Sequence, residues 1–598
     1  MNIFNFTTDG FRIIQLVMAF SAFFFSSLFS FEYFKNDKKK LKHFLLISLV
    51  IFISVVGIFL SADLLTLFVS FEIMSLTSYL WVVLDREKRS FLAGKTYITV
   101  SIVTGMVSLV GIIMLKYSLG TINISEMMSA FETQGDKTMV YTASVLALVG
   151  FFAKAGMYPI HFWMSDTYRF SPTPATILLS SVLSKTGVFG VIVVTSNIFM
   201  GNERFGEILL NFAIITMLWG GLCAVVSEDF KKIMAYSSMS QLGFVFLGLS
   251  MQFLLVDEKQ IPISASVLHM LNHSVFKLVL FTLCGVCFCV IGSTKLEEIK
   301  GIGRRSGVFA FAFLISGLGL AGLPLLSGYI SKTLLHESII YKMHETSSYV
   351  FTVYEALFVI ASALTTAYVM KILFTVFGHP KNKAKIKLSC LTKICLIVPC
   401  VFVVILGVFP HSTADVIAHF GSEIMHPSHT EHHAENYFAY KNISAFFTSF
   451  FIGTAIYFVF IKLILKEVKT SLKIPKVLKI ENILNLIFKA IMLIFDGFIF
   501  ITDKLADKIL VFIQKKSLRP SATKDSQVSM TLGYFLGEKL DKLLKAIKVK
   551  NTHTYANDFS QFEKESSIRR RMIFSSLSYG LLLSGVGLIV VLLYLLVV

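Results

Sequence analysis

Charge is what this sequence has least of. Only 15% of its 598 residues are Asp, Glu, Lys or Arg, where a soluble domain carries about a quarter. That argues against a multi-domain water-soluble protein, which the length alone would suggest. Acidic residues are scarcer than basic ones, and the net charge is +18. The excess does not mark a nucleic-acid binder, because most basic residues sit in short loops between apolar runs. Cysteine is sparse too, at seven residues. Cys284, Cys287 and Cys289 lie within one apolar run, and Cys390, Cys395 and Cys400 open another. Neither set has zinc or iron–sulfur spacing in a polar loop, so they read as buried thiols acting as small apolar residues. No small-residue cleavage site follows the first apolar run, so no cleavable signal peptide is expected.

What is abundant is apolar surface: 55% of residues, 58 phenylalanines and a mean hydropathy of +0.73. Dividing by the roughly 20 residues a spanning helix needs predicts about fourteen crossings. They fall near 11–31, 43–61, 63–84, 96–116, 138–168, 172–195, 207–227, 231–251, 262–291, 306–341, 347–378, 389–410, 439–466 and 573–597. Basic clusters follow only the odd-numbered ones. Examples are Lys38–Lys40 after the first, Arg86–Arg89 after the third, Lys231 and Lys232 after the seventh, Arg304 and Arg305 after the ninth, and Lys381–Lys387 after the eleventh. By the positive-inside bias, both termini then face away from the cytoplasm of a cell (inner) membrane protein.

Two crossings are overlong and interrupted. Segment 138–168 holds Gly156 and Pro159; segment 306–341 holds Gly317, Gly319, Gly322, Pro324 and Gly328. Interrupted segments of opposite sense point to inverted repeats with a functional site near the breaks. The expected fold is therefore all-α and polytopic, with two inverted five-helix repeats that each contain a broken helix. Its parts are an N-terminal helix (1–42), a first repeat (43–195), a second repeat (207–378), further crossings (389–466), an amphipathic segment with a polar connector (475–570) and a final crossing (573–598). In the amphipathic part, Ile480, Leu484, Ile487, Ile491, Ile494, Phe498 and Ile501 recur at helical spacing. As one helix, 475–515 would reach about 60 Å along the membrane at 1.5 Å per residue.

Ionisable residues inside apolar helices are costly, and functional by default. Glu72 lies in FVSFEIMSLTSYLW, Lys154 directly before the first break, and Lys185 in LLSSVLSKTGVFGV. His269, His273 and Lys277 share one face of HMLNHSVFKLVLF at i, i+4 and i+8, and Lys332 follows the second break. These types suit proton relay. An amine in low dielectric gives up its proton more readily, and a nearby carboxylate opposes that. Histidine bridges because its ordinary pKa is close to ambient pH. The plainer alternatives are that Lys332 and Lys154 snorkel, that Glu72 is a packing partner, and that His269 and Lys185 bond a neighbouring helix. The histidines 411, 419, 426, 429, 432 and 433 read as a solvated loop on the outer side, with adventitious metal binding the alternative.

The stretches FEIMSLTSYLW, FFAKAGMYPIHFWMSDTYRFSPTPATILLSSVLSKTGVFG, DFKKIMAYSSMSQLGF, LNHSVFKLVLF and GLAGLPLLSGYISK resemble the antiporter-like subunits of respiratory complex I. They are similar also to Mrp-type cation/proton antiporters and membrane-bound hydrogenases. The resemblance covers about residues 60–380 and implies two inverted half-channels joined by a polar axis. It implies that Glu72 and Lys154 are an interacting pair and Lys185 the next relay residue. His273 and Lys277 would be the central link, and Lys332 the lysine of the second broken helix. Two features depart from the family: only two helices precede the one carrying Glu72, where four are common, and Pro520 interrupts the tail that resembles a lateral brace.

The expected function is a proton-translocating subunit of a redox-driven complex, similar to an NADH or ferredoxin dehydrogenase or an energy-converting hydrogenase. No redox active site, cofactor or metal is assigned to this chain. Its expected partners are other membrane subunits, peripheral iron–sulfur subunits at one remove, lipid, and H+ or Na+ as the moving ion, with no nucleic acid. The alternatives are an Mrp-type Na+/H+ antiporter subunit, a non-pumping brace, and a proton-driven inorganic carbon uptake complex.

Overall fold

The structure is a computed structural model that describes residues 5–255, 258–380, 384–425 and 436–459. All of them belong to the first of two units, Met1–Ile474; the second is Pro475–Val598. The predicted amphipathic segment 475–515, the connector to 570, the final crossing 573–597 and His426, His429, His432 and His433 lie outside the described residues.

The chain is a polytopic all-α membrane protein. It runs through α1 (Gly10–Tyr33), α2 (Lys38–Phe59), α3 (Leu64–Val82), α4 (Lys88–Leu119), α5 (Ile124–Glu132), α6 (Thr138–Ala155) and α7 (Met164–Phe170). Next come α8 (Thr173–Leu178), a π turn (Leu179–Leu183), α9 (Ser184–Ile198), α10 (Glu203–Val226), α11 (Phe230–Leu254) and α12 (Gln260–Ile291). The remainder is α13 (Gly307–Ala321), α14 (Ser327–Thr346), α15 (Tyr349–Val376), α16 (Cys390–Val408), α17 (Pro410–Phe420) and α18 (Tyr440–Ala455). Among the described residues, twelve helical spans are long and apolar enough to cross a membrane. The interrupted pair α13 and α14 stands where the tenth predicted crossing lies.

Local chemistry sets the helix ends. Asp9, Asp37, Asp63, Asn202, Asp229, Ser306 and Ser389 each accept a backbone N–H of the first turn, satisfying donors the helix itself leaves open. Both breaks close in the same way. Gly156 and Gly322 take positive φ (73° and 92°), and the next residues, Met157 and Leu323, donate back to Phe152 and Leu318. That is a glycine-terminated helix end, a conformation an L side chain resists.

Small residues let the helices approach closely, as expected where lipid supplies no hydrophobic drive between them. A Cβ at Gly111 of α4 would lie 2.2 Å from the backbone N of Ala147 in α6, and one at Gly220 of α10 would lie 2.6 Å from Ser240 N in α11. Every residue from Thr173 to Ile198 is buried, so α8 and α9 stand at the centre of the unit. By contrast α1, α2, α16 and α18 expose many apolar side chains.

The span 138–168 is interrupted as expected, into α6, a turn and α7, because Gly156 stops the first part. Two expectations change. His411 and His419 do not sit in a loop; they lie on α17, started by Pro410 at its first position, and His411 Nδ1 lies 2.8 Å from Asp415 Oδ2. Of the cysteines, Cys289 and Cys390 are exposed rather than buried.

Candidate functional site

Seven titratable groups were singled out from the sequence, and all seven are buried: Glu72, Lys154, Lys185, His269, His273, Lys277 and Lys332. Each of the four lysines would cost about 3 kcal/mol at mid-membrane on an insertion scale. Their placement is best followed from α3 towards α14.

Glu72 points from α3 towards α4, where Gly105 leaves it room: a Cβ there would sit 2.3 Å from Oε1. Neither carboxylate oxygen has a hydrogen-bond partner. Lys154, near the end of α6, is the basic group acting on Glu72, yet the two form no direct ion pair. The Lys154 ammonium donates instead to Tyr97 Oη of α4 at 2.6 Å and lies 4.8 Å from the centre of that ring. Tyr97 Oη is in turn 2.5 Å from Ser78 Oγ. Trp163, placed by the turn after the break, packs 5.1 Å from Tyr97 and donates to the Ala153 carbonyl at 2.9 Å. A small cavity touches Lys154, Ser75, Ser101, Thr104, Phe71 and Trp163. Lys154 therefore does not snorkel; its amine stays inside.

Lys185 follows the π turn by two residues. Its amine donates to the Ser180 carbonyl at 2.6 Å and lies 2.7 Å from His273 Nδ1 of α12. π turns release carbonyls from the regular ladder, often at functional sites. Ser180 Oγ also meets Ser238 Oγ of α11 at 2.8 Å. The i, i+4, i+8 face of α12 is formed as expected. On it Lys277 donates to Ser237 Oγ (2.8 Å) and the Met234 carbonyl (3.1 Å) of α11. Ser237 Oγ then meets Tyr368 Oη of α15 at 2.7 Å.

At the other end of that face, His269 Nδ1 is 3.0 Å from Ser331 Oγ of α14, and Asn272 donates to the Ser327 carbonyl at 2.8 Å. His269 and Lys332 lie on Phe244, with a ring separation of 5.6 Å and an amine-to-ring distance of 5.1 Å. Lys332 reaches back across the break to the Ala321 carbonyl at 3.4 Å, at the negative end of α13. It too stays inside.

The structure thus joins Lys185 to His273, sets Lys277 one turn further along α12, and carries His269 to α14. It leaves Glu72 apart from Lys154, and Lys154 without a direct bond to Lys185. Sequence reasoning passed over Tyr97, Ser78, Ser237, Ser331 and Asn272, as well as His336, Glu337 and Glu355. One signal was present: Tyr97, Ser101, Thr104 and Ser108 place hydroxyls on one face of α4 at helical spacing. Lys231 and Lys371 are of another kind. Lys371 donates to the carbonyls of Val225 (2.9 Å) and Ser227 (2.7 Å), and Lys231 to that of Ser171, so both fasten helix ends. Among the described residues, no group of three or more His, Cys, Asp or Glu side chains could hold a metal ion.

This chain is 28% identical over 325 residues to a Na(+)/H(+) antiporter subunit of Alkalihalophilus pseudofirmus. The alignment covers 54% of this chain and 64% of that relative, under two thirds of its length. The fold is similar to that of a chain in the Mrp complex from Dietzia sp., with a TM-score of 0.63, 21% identity, and 71% and 85% of the two chains covered. It is similar also to a chain of the membrane-bound sulfane sulfur reductase, an archaeal respiratory membrane complex, with a TM-score of 0.64, 23% identity, and 71% and 84% covered. At such identities these structures speak for the fold alone. Residues 61–365, which hold all seven buried groups, match the family model described as NADH:quinone oxidoreductase/Mrp antiporter, transmembrane, and the chain belongs to that family.

Proposed function

We propose that this chain moves protons through the membrane as one subunit of a multi-subunit, redox-driven complex. The protons would pass along Glu72, Lys154, Lys185, His273, Lys277, His269 and Lys332. What carries the reading is the Lys185–His273 contact of 2.7 Å. Two titratable nitrogens from α9 and α12 share one hydrogen bond in the fully buried centre, and either can hold the proton. No structural role needs both, because a single serine would satisfy either helix. The matching closures at Gly156 and Gly322 support two inverted repeats, 43–195 and 207–378, with one lysine beside each break. The basic loops support termini on the non-cytoplasmic side of the cell membrane.

The drive would come from partner subunits. The fold shared with a respiratory complex supports redox partners. The similarity to a Na(+)/H(+) antiporter subunit supports a second reading, exchange driven by an ion gradient. Purification of the tagged chain from native membranes under gentle detergent, with mass spectrometry of its partners, separates the two. Soluble iron–sulfur or nickel-binding subunits are expected. Recovery of small hydrophobic subunits alone, with exchange under an imposed gradient and no reductant, would overturn the redox drive. Unimpaired proton movement in an assembled Lys185→Ala variant would overturn the relay itself.

A further inference from the structure

Where the starts of α13 and α16 meet the end of α15, two loops are laced together. Gly301 N donates to the Thr375 carbonyl at 2.9 Å, and Ile386 N to that of Arg305 at 2.9 Å. Between these bonds, Arg304 Nε donates to the Phe377 carbonyl at 2.6 Å and Arg305 Nε to the Ala384 carbonyl at 2.8 Å. A guanidinium has five N–H donors. Each arginine uses one on the backbone, and among the described residues the terminal nitrogens of both have no partner. Fastening the loops needs only that one bond, which a lysine would make as well. Two arginines with their planes held and their forks unused ask for a further ligand. Arg304 is exposed and Arg305 partly so.

The surroundings carry charge of one sign. The stem of Lys300 lies over Gly378, where a Cβ would sit 2.9 Å from Lys300 Cε, and Lys385 and Lys387 are exposed. Neither 299–306 nor 377–393 contains an acidic residue. Other basic clusters are answered by carboxylates: Lys35 by Glu32, Lys40 by Asp85, Arg169 by Asp229 and Lys295 by Glu298, all within 3.4 Å. Charges at the opposite end of α14 and α15 are matched too. There His336 Nε2 lies 3.3 Å from Glu355 Oε1, Lys441 meets Glu337 at 2.9 Å and Lys342 meets Glu345 at 3.3 Å. Next to the unanswered patch the helices turn apolar side chains outward: Phe311 and Leu314 of α13, Phe374 of α15, and Leu391 and Ile394 of α16.

We propose that this patch binds an anionic membrane phospholipid. Arg304 and Arg305 grip its phosphodiester, and its acyl chains lie along the outer faces of α13 and α16. A guanidinium fork matches two phosphate oxygens at once, which an ammonium cannot do. Lys300, Lys385 and Lys387 add attraction, each worth about fivefold in affinity near an anionic surface. The apolar faces that continue from the patch favour a lipid over a soluble phosphate or an acidic protein segment. The site stands outside the proton relay and does not depend on it.

The test is native mass spectrometry of the full chain in neutral detergent, titrated with dioleoylphosphatidylglycerol or dioleoylphosphatidylcholine. The chain is expected to retain the anionic lipid more tightly, by roughly fivefold or more. Arg304→Lys combined with Arg305→Lys keeps every charge and should still lower that affinity by about fivefold, through loss of the forks. Arg304→Gln combined with Arg305→Gln should lower it by about 25-fold or more. Arg89→Lys, in a cluster that includes Asp85 and Glu87, should leave it unchanged. Wild-type affinity in the double lysine variant would reduce the site to diffuse attraction and sink the proposal. So would displacement of the lipid by an equal concentration of inorganic phosphate, which would mark a soluble-anion site. Should the arginine variants be poorly recovered, Lys385→Gln with Lys387→Gln alters only exposed side chains; unchanged affinity there counts equally against the patch. The same titration on the intact complex checks that the face is open. Lipid held by the chain alone but not by the complex would assign the patch to an acidic partner subunit instead. Lys332→Ala should keep the lipid affinity whatever it does to proton movement, so the lipid site and the relay stand or fall separately.

Discussion

The two breaks close their helices alike, yet their lysines stand on opposite sides of the closure. Lys154 precedes Gly156 on the finished helix and is gripped by Tyr97 at 2.6 Å, beside a carboxylate with no partner. Lys332 follows Gly322 on the new helix, reaches a carbonyl at 3.4 Å and otherwise meets the face of a ring and a cavity. The first lysine has two competing partners, a phenol and a carboxyl, within a tight space. The second has weak partners and room for water. A single backbone motif therefore serves a site that holds its amine and a site that lets its amine exchange. The difference lies in what the neighbouring helices bring.

The comparison is broken most severely at the amines. Lys154→Ala removes a proton-transfer group of a kind worth about 100-fold or more, and proton movement in assembled vesicles should fall to background. Lys332→Ala should do the same, because the relay has no second group at that point. A backbone clash comes next. Gly111→Ala drives a methyl into the backbone of α6, so this variant should fail to assemble, as read by recovery of the complex. Gly105→Ala meets only the end of the Glu72 side chain; it should assemble and slow proton movement by moving the carboxylate.

Tyr97→Phe sharpens the comparison. A hydrogen bond to a charged group contributes about 1.5–3 kcal/mol, so its loss should shift Lys154 towards Glu72 by roughly 10-fold or more. The expected readout is a displaced pH profile of proton movement, absent when the change is made together with Glu72→Gln. An unmoved profile in the single variant would reduce Tyr97 to a packing residue.

The smallest effect lies outside the spans. Glu126 accepts from Thr121 Oγ1 (2.6 Å) and Asn123 Nδ2 (3.0 Å) at the start of α5, and these bonds hold its carboxyl below the ordinary 4.5. A folded pKa that is depressed contributes stability above the unfolded value and loses it as pH falls through the folded one. Glu126→Gln should therefore flatten the acid limb of local unfolding at α5, below about pH 4.5, as seen by hydrogen exchange. At neutral pH the effect should be slight.

Much of this was legible because cost leaves a mark. A lysine or glutamate in an apolar helix stands out, and so does a glycine–proline interruption, so all seven buried groups and both breaks could be named from the residues. The partners could not. Tyr97 and Ser331 are ordinary membrane-helix residues until a neighbouring helix brings an amine or imidazole to them, and nothing in the chain order sets α4 against the end of α6. His336 was readable beside Lys332 by the same i, i+4 rule that found the α12 face, but the pairing with Glu355 depends on how α14 meets α15. The short helix α17 was missed because its polar residues and histidines look like a loop, while Pro410 at its start favours a helix.

The π turn from Leu179 to Leu183 has a consequence for phase. A widened turn takes one residue more than the regular helix, so everything after it is rotated by about 100° relative to an uninterrupted α-helix. Lys185 comes two residues later, and its azimuth is set by that extra residue. Removing one residue from the turn would leave the composition of α9 almost unchanged and keep its length within about 1.5 Å. The amine would then swing to a different face, away from His273. Meeting between the two nitrogens is thus a matter of register, held by an irregularity in the backbone rather than by any side chain that a substitution scan would find.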